Sequence, residues 1–123
     1  NVWLAYLGQP FVWGQRDCAT FFGDAVKAMT GTDPLADYRC YDSQISALRL
    51  LSIEGHERME DFVLQRFVEI PVAQLRCGDL AFTEKSTALT CPCLVLREHL
   101  LGVTEQGTAL VPRIFAVRGY RVP

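Results

Sequence analysis

The chain has 123 residues, 50% of them hydrophobic and 21% charged, with a net charge of −2. That is enough apolar material for the core of a single domain spanning residues 1–123, and it excludes a disordered tail. The charge leaves no electrostatic footprint for nucleic acid or an anionic membrane surface, and no apolar run approaches the ~18–20 residues of a membrane span.

Residues 1–7, with Val2, Trp3, Leu4, Tyr6 and Leu7, read as a short helix or an arm. Gly8-Gln9-Pro10 ends it, because proline fixes its own backbone and restricts the residue before it. A turn through Trp13 and Gly14 then leads to Asp17, a good N-cap. From there Cys18, Phe21, Phe22, Ala25, Val26 and Met29 recur at helical spacing until Gly31. Asp33-Pro34 starts a loop. A second helix is expected from Asp42 or Ser43 to Gly55 with Ile45, Leu48 and Leu51 inward, and a third from Glu57 to Phe67 with Met59, Phe62, Val63 and Phe67 on one face. Past Gly78, short apolar runs at 79–83, 90–96, 100–104, 108–111 and 117–122 predict an antiparallel meander. Helices first and strands second is the pattern of an α+β domain with helices packed on a C-terminal sheet.

Five cysteines stand at 18, 40, 77, 91 and 93. Their odd number, and an N-terminus without the basic start and cleavage site of a secretory signal, argue for thiols made in a reducing compartment rather than a disulfide framework. Cys18 holds the chemically suggestive position. The partial positive charge of a helix N-terminus favours a thiolate, the nucleophilic form. Gly14 allows close backbone approach before that turn, and Trp13 supplies an aromatic wall beside it. The bland alternative is a small buried hydrophobe at Cys18 and a mere cap at Asp17.

The segment Pro10-Phe11-Val12-Trp13-Gly14-Gln15-Arg16-Asp17-Cys18, followed by Phe21, resembles the nucleophile segment of the NlpC-type cell-wall cysteine peptidases. These are papain-like enzymes that cut peptide bonds in peptidoglycan stems. Gly78-Asp79-Leu80-Ala81-Phe82 resembles the Gly-Asp turn by which that family enters its sheet. Gly31-Thr32-Asp33-Pro34 and Tyr120-Arg121-Val122 are similar to features of a short subgroup found in tail-gene clusters of bacteriophages and gene-transfer agents. The resemblance implies a papain-like NlpC-type fold, Cys18 as catalytic nucleophile, and Trp13, Gly14 and Asp17 at the substrate groove. It implies no cofactor and no metal. The implied partners are tail-tip or hub proteins and, if the enzyme works, the peptidoglycan stem peptide. The implied location is the virion tail, after synthesis in the host cytoplasm.

A cysteine peptidase also needs a base, usually histidine, oriented by a third polar group. The family places it at the opening of the strand after the Gly-Asp strand, but Ala88-Leu89-Thr90-Cys91-Pro92-Cys93-Leu94-Val95 contains none. His56 reads as a solvated turn residue, whereas a shifted strand register brings His99 into reach as a candidate base. Phe11 lacks the hydroxyl of the tyrosine usual there, Gln15 replaces a frequent second glycine, and Ala19-Thr20 stands for a small Ser-Gly pair. The expectation is a retained fold with weak or lost peptidase activity. The competing readings are an active endopeptidase or amidase and a bacterial binding or toxin-type module.

The other four thiols read as core residues. Cys91 and Cys93 share a strand face, and a four-thiolate zinc site with Cys40 and Cys77 is the minor alternative. Arg97, Arg113, Arg118 and Arg121 read as a solvated strand face or, in an assembly, part of a subunit interface.

Overall fold

The computed structural model describes residues 6–53, 55, 59–84 and 92–123. Its helices are α1 (Cys18–Thr30), α2 (Gln44–Ile53) and α3 (Met59–Arg66). Its strands are β1 (Val68–Ile70), β2 (Leu80–Phe82), β3 (Cys93–Val95), β4 (His99–Thr104), β5 (Gly107–Pro112) and β6 (Arg118–Arg121). The strands form one antiparallel sheet in the order β1-β6-β2-β3-β4-β5. The domain is therefore α+β, as expected.

The first helix follows its sequence signals closely. The Asp17 carboxylate accepts the Thr20 N–H at 2.7 Å while the Thr20 hydroxyl accepts the Asp17 N–H at 2.8 Å, a reciprocal capping box. At the far end Gly31 takes φ of 83° and donates its N–H to Lys27. Phe21, Phe22, Ala25 and Val26 are buried, but Met29 is 44% exposed, so the inward face ends a turn earlier than the spacing predicted.

Alternation along the strands divides the sheet into two apolar faces. Leu80, Phe82 and Tyr120 join Phe22, Val26, Phe62 and Val63 on the helix side. Leu101 and Val103 continue that face beneath Phe21 and Tyr6. Ala81, Cys93, Val95 and Leu100 form the opposite face, covered by Leu75 and Ala116.

Three expectations need correction. The meander holds only for β2 to β5, since β6 returns across the sheet to lie between β1 and β2. Residues 68–70 form the edge strand β1, which the sequence pattern did not predict; Phe67 lies beyond α3 but still packs on Phe22. In α2 no residue is buried, and Ile45 and Leu48, expected inside, are 64% and 51% exposed. Periodicity supplied an apolar stripe, but α1 and α3 already occupy the sheet, leaving only Leu51 of that stripe against the core. The predicted start of the third helix at Glu57, and His56 and Cys91, fall outside the described residues.

Of the four C-terminal arginines, Arg97 is exposed as expected, but Arg113, Arg118 and Arg121 are not freely solvated. Arg118 pairs with Glu60, Arg121 with Asp79 at 3.1 Å, and Arg113 donates to the carbonyls of Leu96, Arg97 and Leu75. The Asp79–Arg121 pair joins the turn before β2 to the last strand.

Burial also fixes how the domain responds to alkali. It pushes the Cys93 thiol from 9.0 up to about 12, with a smaller push from Cys18. It raises the hydroxyls of Tyr6 and Tyr120 above their usual range, helped by Asp24 and Glu60 respectively. Each group holds its proton more tightly folded than unfolded, so stability is intact below the unfolded values and is lost as pH rises through the folded ones. Thermal melts are expected to be flat through neutrality and to fall from about pH 9 upward. In the native protein at pH 8, a thiol reagent should modify the exposed Cys40 and Cys77 and spare Cys93 until unfolding.

Candidate functional site

The turn before α1 is held from three directions. An isolated bridge pairs Val12 with Arg16, and the Arg16 N–H donates to the Val12 carbonyl at 2.8 Å. Asp17, with 0% exposure, lies at its centre. One carboxylate oxygen takes the Thr20 N–H. The other accepts the Gly14 N–H at 2.7 Å and the Tyr41 hydroxyl at 2.6 Å. Gly14 has φ of 82°, and a Cβ there would lie 2.0 Å from the Tyr41 carbonyl oxygen. Glycine is required both for the left-handed conformation and for that contact.

Tyr41 was not legible as part of this site. It lies 24 residues from Asp17, on the loop before α2, and only the tertiary fold brings it back. Asp17 itself faces inward, so it shapes any groove through Gly14 and Tyr41 rather than by lining it.

Cys18 is the first residue of α1 and is half-buried. It packs at the junction of the two helix-side clusters, beside a group that includes Phe11, Leu94, Leu96 and Leu101. β3, the strand after the Gly-Asp strand, thus presents Leu94 to the face that Cys18 packs on. Cys93 points away from it, with Ala81 and Val95. His99 opens β4, and the alternation through Leu101 and Val103 puts it on the helix side. Its carbonyl accepts the Leu96 N–H at 2.8 Å. Among the described residues, neither the Cys18 thiol nor the His99 ring makes a hydrogen bond. The two share a sheet face without being joined.

Trp13 is half-buried and meets Phe11 edge to face, with ring centroids 4.9 Å apart. Both rings line an open cleft of about 530 Å³ whose far wall is the β4–β5 turn.

The zinc alternative gains no cluster. Cys40 and Cys77, read from the sequence as core residues, are instead exposed, and only Cys93 is buried as expected, Cys91 lying outside the described residues; among the described residues no three His, Cys, Asp or Glu side chains come together as a metal would require. No helix among those residues is long and apolar enough to cross a membrane.

Comparison with curated proteins and with solved structures gives no match. A family model does match, covering residues 2–122 and described as Domain of unknown function (DUF6950). The model takes in the turn and, among the described residues, the helices α1 to α3 and the six strands, and the chain belongs to the DUF6950 family.

Proposed function

We propose that this is an NlpC-like, papain-type domain associated with the tail tip or hub of a bacteriophage or gene-transfer agent. It acts at the bacterial cell wall, with peptidase activity at Cys18 weak or lost. One observation carries the reading: Cys18 begins a firmly capped helix, yet among the described residues the facing segments offer it leucines and no hydrogen-bonded imidazole. The positive end of α1 faces charge developing on the sulfur. Attack on a peptide carbonyl still requires a group to take the thiol proton and return it to the leaving amine. General acid–base assistance is worth about 10²–10⁴-fold in rate, so its loss leaves a slow enzyme or a scaffold.

An active endopeptidase or amidase is the second reading, with Cys18 as nucleophile and His99 as base. The placement of His99 on the helix side of β4 favours it. Defined stem peptides and whole peptidoglycan, incubated with purified protein and followed by mass spectrometry, separate the two. The first reading expects no turnover, or turnover slower by about 10²-fold or more than a thiol–imidazole pair gives. Rapid cleavage abolished by both Cys18→Ala and His99→Ala establishes the second. Rapid cleavage that survives Cys18→Ala overturns the nucleophile assignment in both. The tail assignment requires the chain to appear in purified particles, and its absence from them refutes that assignment.

A further inference from the structure

The cleft beside Trp13 has a chemical character that the reaction at Cys18 does not explain. One wall is Pro10, Phe11 and Trp13, and the other is Glu105 and Gln106 in the turn between β4 and β5. Glu105 is the one ionisable side chain lining it, and among the described residues it has no ion-pair partner. Phe11 packs perpendicular to Trp13, with 87° between the rings, and both residues line the cleft. The turn that carries Glu105 is hydrogen-bonded on both sides of it. The Thr104 hydroxyl accepts the Gln106 N–H at 3.2 Å and donates to the Gly107 carbonyl at 3.1 Å, and β4 and β5 pair over six residues behind it.

Aromatic faces attract cations through their quadrupole, and a carboxylate across an open cleft attracts the same charge. An aliphatic stem suits the Pro10–Phe11 wall, whereas an anion meets repulsion and a neutral chain gains nothing from Glu105. We infer that the cleft between Trp13 and Glu105 is a binding site for a protonated primary amine on an aliphatic stem, the lysine type of side chain in a peptide. This is independent of whether Cys18 is active.

The test is a titration of the intact, isotope-labelled protein, in wild-type and Cys18→Ala forms, with N-acetyl-lysine methylamide and its norleucine counterpart. Backbone and indole N–H resonances of Trp13 and Glu105 report occupancy. The lysine compound should bind about three- to tenfold more tightly than norleucine at low salt, the preference shrinking as salt is added. Glu105→Gln, an exposed turn substitution that spares the core, should shrink the lysine preference at least twofold and remove most of its salt dependence, leaving what the aromatic rings contribute. Equal binding in the wild type, a preference undiminished by Glu105→Gln, or no shifts at these residues up to tens of millimolar ligand would each overturn the assignment. Because Cys18→Ala cannot turn over, failure here is distinct from failure of the proposed catalytic reading.

Discussion

Gly14→Ala is expected to cost about 3–5 kcal/mol, read as a lowered urea midpoint with an unchanged slope. Two effects combine. A non-glycine residue held at φ of 82° pays about 1–2 kcal/mol for the left-handed conformation. The new methyl would also sit 2.0 Å from the Tyr41 carbonyl oxygen, which is backbone and has no rotamer to swing aside. Relief requires the turn and the loop before α2 to separate, which stretches the bonds from Gly14 and Tyr41 to Asp17. Gly31→Ala is the control, because its φ of 83° carries the same backbone penalty with nothing within 4 Å of the added carbon. Gly14→Ala should exceed Gly31→Ala by about 2 kcal/mol or more. Equal costs would show that the Tyr41 contact does not constrain the turn.

The second large effect is expected at Asp17. Asparagine fits the same space but offers one acceptor oxygen where the carboxylate has two. In the native turn Thr20, Gly14 and Tyr41 all donate to Asp17. With the amide oxygen toward Thr20, the amide nitrogen faces the Gly14 N–H, a donor against a donor at a fully buried site. A loss of about 2–4 kcal/mol follows, since a buried donor left unpaired forfeits its solvation. Tyr41→Phe removes one donor and leaves the carboxylate two, so it should cost less, about 1–2 kcal/mol. The double variant should fall short of the sum by more than 0.5 kcal/mol, because the two side chains share one bond. Strict additivity would mean that the hydroxyl and carboxylate do not act as a unit.

These two variants touch the part of the chain that was most and least legible at once. Asp17, Cys18 and Gly31 announced α1 because capping and periodicity are local: the helix ends satisfy their own backbone groups within a few residues. Gly14 was legible as a point of close approach, but the backbone it approaches belongs to Tyr41, and no local rule links residue 14 to residue 41. The same distinction explains α2. Its spacing resembled that of any core helix, but burial depends on whether sheet area is still free, and here it was already covered. Strand β1 is short and has Val68 72% exposed. Its existence depends on β6, more than 40 residues later, offering an edge with free hydrogen-bonding groups.

By itself the sequence determined the α+β class and the first helix with its cap and stop, and it singled out Cys18. Those properties rest on composition and on interactions within a few residues. Tertiary structure decided what surrounds that cysteine. Strand parity sends Cys93 to one face of the sheet and Leu94 to the other, and puts His99 on the side of α1. A register shift of one residue would have reversed all three, and register depends on how the apolar patterns and turns of neighbouring strands fit together, which no single strand's sequence states.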